Sequence, residues 1–127
     1  MSHSTAKLRL LVVDDETVIA DSLAAICRLS GFDALALYSG EMAVEEALAH
    51  PPAFLLSDIN MSGMNGVEAA IRVARACPAC RILLFSGHPD SGGLLEKARN
   101  DGHSFDVLTK PVHPETVLDW LDRNGTT

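Results

Sequence analysis

Five polar residues stand where short apolar runs end. Asp14 and Asp15 follow Leu10-Leu11-Val12-Val13, and Asp58 follows Phe54-Leu55-Leu56-Ser57. Ser86 follows Ile82-Leu83-Leu84-Phe85, and Lys110 follows Val107-Leu108-Thr109. If these runs are parallel strands, all five residues reach one edge of one sheet. Three carboxylates crowded together repel one another unless a cation sits among them. Oxygen donors without His or Cys favour a hard ion, with Mg²⁺ the usual choice. A carboxylate can also accept a phosphoryl group covalently. Lys110 would then supply fixed positive charge and Ser86 a hydroxyl donor. Gly87 leaves room for a bulky anion.

The elements needed to gather these residues are legible as five strand–helix alternations. Strands are predicted at Lys7 to Val13, Asp33 to Leu37, Ala53 to Ser57, Arg81 to Phe85 and Phe105 to Thr109. A helix is predicted from Thr17 to Ser30, with Val18, Ile19, Leu23, Ile26 and Leu29 as its apolar stripe, Ser22 facing solvent and Gly31 ending it. Ser39 is placed to cap a helix from Glu41 to Ala49, stopped by Pro51-Pro52. Asn65 to Ala76 forms the third helix. A fourth is expected around Leu94 to Asn100, starting late after the turn-forming segment His88-Pro89-Asp90-Ser91-Gly92-Gly93. Pro114 opens the last, which carries Trp120 and Leu121 as core residues. Strict alternation argues a parallel sheet with helices on both faces, and ligands then bind beyond the carboxyl ends of its strands.

A chain of 127 residues is one domain's worth, expected to span 1–127 with a core of about 7–124. Its net charge of −7 argues against direct binding to nucleic acid or an anionic membrane. No spanning or signal-peptide segment is visible, so a cytoplasmic location is expected. Cys77-Pro78-Ala79-Cys80 has redox-motif spacing, but it falls after a helix and at the edge opposite the acids, and reads as a turn.

Taken together, these motifs resemble the receiver domain of two-component response regulators along essentially the whole chain. The resemblance is carried by Asp14-Asp15, by Asp58 with Asn60, Met61, Gly63, Met64 and Gly66, by Ser86-Gly87, and by Lys110-Pro111. It implies a flavodoxin-like (βα)5 fold, a doubly wound parallel five-stranded sheet in order 2-1-3-4-5. It also implies that Asp58 accepts a phosphoryl group from a histidine kinase or histidine phosphotransfer protein. Asp15, Asp58 and the Asn60 carbonyl would hold Mg²⁺, with Asp14 acting through water. Lys110 and Ser86 would contact the phosphoryl oxygens, and the Lys110-Pro111 bond would be cis. Such a domain assists its own phosphorylation and dephosphorylation but turns over no external substrate. Its output passes to a downstream protein partner or a fused effector domain.

Two positions depart from the family pattern. Val107 stands where an aromatic residue is common, with Phe105 on the same strand face. Ser62 replaces a usual proline, which is expected to loosen the loop after Asp58. Val107 keeps a second reading open, a phosphorylation-independent interaction domain of the same fold. An aspartyl-nucleophile hydrolase fits less well, since Glu16 and Thr17 stand where a second Asp would be wanted. A flavin site lacks its phosphate loop after the first strand. Glu16 is expected to flank the site and His88 to modulate access to it.

Overall fold

The computed structural model describes residues 7–87 and 91–125. Five strands alternate with five helices: β1 Arg9–Val13, α1 Thr17–Leu29, β2 Asp33–Leu37, α2 Gly40–Ala49, β3 Phe54–Asp58, α3 Gly66–Ala76, β4 Arg81–Ser86, α4 Ser91–Asn100, β5 Asp106–Thr109 and α5 Pro114–Gly125. All strand pairs are parallel, in the order β2-β1-β3-β4-β5. The expected fold class is therefore the observed one. Among the described residues, no helix is long and apolar enough to cross a membrane.

Alternation along the buried strands divides the core in two. Leu11, Val13, Leu55 and Leu84 face one way, against Ala43 and Ala47 of α2, Val67, Ala70 and Val73 of α3, and Ala98 of α4. Leu10, Val12, Leu56 and Leu83 face the other way, against Ala20, Ala24 and Cys27 of α1 and Val117, Trp120 and Leu121 of α5. Phe54 is central to this second layer, edge-on to both Phe32 and Trp120. A period-2 pattern with both faces apolar is what a strand covered by helices on each side requires.

The helix ends carry the expected signals. Ser39 Oγ accepts from the Met42 amide at 3.1 Å. Asn65 proves to be a cap and not a helical residue, its Oδ1 accepting from the Glu68 amide at 2.9 Å. Gly31 takes φ +100°, the left-handed value that ends α1.

Two further expectations are corrected. The buried stripe of α1 is Ala20, Ala24 and Cys27, whereas Val18 is 75% and Leu29 89% exposed. Small residues spaced four and three apart bring α1 close to the sheet; Leu23 packs beside them half-buried, and Val18, Ile19 and Leu29 are left exposed. The fourth helix begins at Ser91, not near Leu94, and runs ten residues. His88, Pro89 and Asp90 of the turn-rich segment lie outside the described residues.

Candidate functional site

The strand order reverses between β1 and β3, so the two strands leave a crevice at their carboxyl ends. Asp14 and Asp15 continue from β1, and Asp58 is the last residue of β3. One carboxylate oxygen from each lies within 4.8 Å of the others. Asp14 and Asp58 are buried, while Asp15 is exposed and keeps the site open to solvent.

Lys110 follows the edge strand β5, and its Nζ lies 2.9 Å from Asp58 Oδ1. Ser86 ends β4, half-buried, one step beyond the residue paired with Asp58. The Lys110 amide donates to the Ser86 carbonyl at 2.9 Å, which ties these two positions together. Asn60, also half-exposed, lies two residues past Asp58. The Lys110-Pro111 bond is cis, as expected.

The electrostatics follow from this crowding. Burial pushes the Asp14 carboxyl above the ordinary carboxylate value; the Glu16 amide and Lys110 oppose the shift, and Asp58 and Asp15 add to it. Burial lowers Lys110, but its hydrogen bond and attraction to Asp58, joined by the charges of Asp14 and Glu16, outweigh this and hold its pKa above the ordinary lysine value. The site thus holds three acids around one cation. An excess of carboxylate oxygens, with no soft ligand, fits a hard divalent ion such as Mg²⁺.

Glycines set how closely backbone can approach. A Cβ on Gly66 would fall 2.0 Å from the Asp58 carbonyl oxygen, so only glycine lets α3 start against the end of β3. A Cβ on Gly87 would sit 3.0 Å from Lys110 Cδ.

The loop after Asp58 is held more than its lost proline suggests. The Ser62 amide, which a proline would lack, donates to Asp15 Oδ2 at 3.2 Å. The Met64 amide donates to Glu41 Oε2 at 3.2 Å. Glu41 was not legible as part of this neighbourhood, because its partner is a backbone amide 23 residues away. Val107 and Phe105 pack on the same core layer, as the strand period predicts. Cys77 and Cys80 lie at the opposite sheet edge as free thiols, and burial pushes Cys80 up to about 12, which suits an inert turn.

Beside Lys110 opens a cleft of about 390 Å³, lined by Val18, Ile19, Leu23 and Ile26 of α1 together with Pro111 and Val112. Apolar residues of α1, the exposed Val18 and Ile19 among them, therefore border the acidic pocket.

A five-stranded doubly wound sheet with this pocket at its switch point defines a receiver-type α/β domain. Residues 10–122 match the response regulator receiver domain, and the chain belongs to that family. It is 28% identical over 114 residues to the DNA-binding response regulator MtrA of Mycobacterium bovis, a match covering 90% of this chain and 49% of that protein. The chain thus spans about half the length of such relatives. Among solved structures it resembles a two component transcriptional regulator AraC from Clostridium phytofermentans, at 31% identity and TM-score 0.76, covering 93% of this chain and 91% of that one. It also shares its fold with a CheY-like receiver domain protein from Methanospirillum hungatei, at TM-score 0.82 and 22% identity, covering 93% of each chain.

Proposed function

We propose that this chain is a phosphorylation-switched receiver in which Asp58 accepts a phosphoryl group from a histidine kinase or histidine phosphotransfer protein, with Mg²⁺ bound by Asp15, Asp58 and Asn60. The observation that supports it most is the 2.9 Å contact of Lys110 with a buried Asp58 inside a three-carboxylate cluster. A carboxylate oxygen of Asp58 attacks phosphorus, and the bond from phosphorus to the donor's imidazole nitrogen breaks. Bound Mg²⁺ supplies positive charge for the phosphoryl oxygens. Lys110, already at Asp58, needs only a small shift to reach them, and Ser86 donates its hydroxyl to one of them. Asp14 completes the acidic rim through water. The protein's work is positioning and charge neutralisation.

The apolar α1 residues beside the pocket favour a protein as donor, since a small phosphodonor has no use for them. Once Asp58 is phosphorylated, its added charge biases a two-state surface read by a downstream protein partner or a fused effector domain. The domain acts on its own aspartate and not on an external substrate.

Incubation with acetyl phosphate and Mg²⁺ tests this reading. One phosphoryl group should be gained by intact mass, and the gain should vanish in Asp58→Asn or in excess EDTA. No gain under any condition would favour the other reading, a phosphorylation-independent interaction domain. Val107 supports that alternative, because it stands in β5 where the family resemblance implies an aromatic side chain.

A further inference from the structure

We infer that Glu41 is a positioning residue for the cation site, holding the loop after Asp58 in the shape that lets Asp15, Asp58 and Asn60 share one ion. The inference rests on the proposed reading of the acidic cluster as a Mg²⁺ site. Glu41 itself lies in the first turn of α2, outside that cluster.

The loop backbone is built against it. Glu41 Oε2 accepts from the Met64 amide at 3.2 Å. Gly63 takes φ +75°, and a Cβ there would fall 2.8 Å from the same carboxylate oxygen. A Cβ on Gly40, the preceding residue of α2, would fall 2.8 Å from the Met64 carbonyl oxygen. The start of α2 and the loop therefore meet closely, with glycine on each side, the Met64 side chain against Gly40 and the Glu41 carboxylate against Gly63. On its other side the loop is fastened to Asp15 Oδ2 by the Ser62 amide. The segment from Asn60 to Met64 thus runs between two carboxylates, one a metal-ligand candidate and one not.

The restraint matters because of what else the loop contains. Gly63 is conformationally free, and Ser62 does not fix φ as a proline would. Without the Glu41 contact, Asn60 and the Ser62 tether to Asp15 would sample many geometries, and binding an ion would cost the entropy of ordering them. Groups that orient metal ligands from outside typically change affinity by about 10–100-fold when removed. Glu41 is exposed, so its hydrogen bond adds little to global stability. Its effect should therefore show in ion affinity and not in melting.

Isothermal titration of the metal-free full chain with Mg²⁺ tests this, with thermal unfolding in EDTA as the companion measurement. Glu41→Ala should bind Mg²⁺ about tenfold more weakly than the unaltered chain, with an unchanged metal-free melting temperature. Glu41→Gln keeps a carbonyl acceptor for the Met64 amide and should bind like the unaltered chain. Equal affinity in Glu41→Ala overturns the inference. So does a Glu41→Gln as weak as Glu41→Ala, which would assign the effect to charge. A fall in metal-free melting that accompanies the lost affinity overturns it as well, by making Glu41 a general support of the fold. An unaltered chain that binds no Mg²⁺ would instead remove the cation reading on which the inference stands.

Discussion

Asp14 concentrates the conflict in this pocket: it is buried beside two other acids, with Lys110 as the cation that offsets it. A carboxyl whose folded pKa is raised contributes stability below its unfolded value near 3.8, and that contribution is lost as pH rises through the folded pKa. The metal-free protein should therefore give up stability from this group as pH rises above about 4 through the raised folded pKa. Asp14→Asn keeps an acceptor for the Glu16 amide at 2.9 Å and removes the charge. It should raise the metal-free stability at neutral pH and flatten the slope above about pH 4, as read by urea unfolding. A variant less stable than the unaltered chain at neutral pH would contradict this account. The five polar residues were legible because each stands at the end of an apolar run. The Ser62–Asp15 and Met64–Glu41 contacts were not, since backbone amides supply the donors and no residue type announces them.

Among the elements, strands read more faithfully than helices. The sequence places β2 to the residue and the others within two residues; for β1, β3 and β4 the reason is that buried apolar runs bounded by polar residues admit few alternatives. The apolar stripe of α1 is only partly turned inward: Leu23 packs against the core and Ile26 is half-buried, but Val18, Ile19 and Leu29 are exposed. A search for large apolar residues at helical spacing finds Val18 and Ile19, but close packing on a sheet selects Ala20, Ala24 and Cys27. The displaced residues gain a use if a donor protein docks there. Val18→Asp with Ile19→Asp should slow phosphotransfer from a cognate kinase by tenfold or more, about 1.4 kcal/mol, while leaving phosphorylation by acetyl phosphate unchanged. Equal slowing with both donors would place the damage in the pocket and not on the helix. α4 is the lightly anchored helix: of its described side chains only Ala98 is fully buried, against five residues of α3. Few buried contacts mean a low cost of local opening. Its amides should exchange hydrogen faster than those of α3, and equal protection would argue that the two helices open together.

At the scale of the whole molecule, an acidic chain has gathered three carboxylates at one point of a sheet whose two core layers both depend on β1 and β3. Those strands carry the acids on their carboxyl ends, so an ion held there bridges the centre of the fold and not a peripheral loop. Any ligand bound by the folded chain alone raises its stability in proportion to the logarithm of its concentration above Kd. At about a hundred times Kd, Mg²⁺ should add roughly 2.7 kcal/mol. For a domain of this size that is on the order of 10 °C in melting temperature. The net charge of −7 offers a competing cause, since any salt screens self-repulsion. Sodium at matched ionic strength separates the two, because screening acts without a site. Magnesium should exceed sodium by several degrees in the unaltered chain, and the excess should disappear in Asp15→Asn, which removes one carboxylate of the proposed site but keeps an amide acceptor for Ser62. If sodium matches magnesium, or if Asp15→Asn retains the excess, the acidic pocket is not where the ion acts.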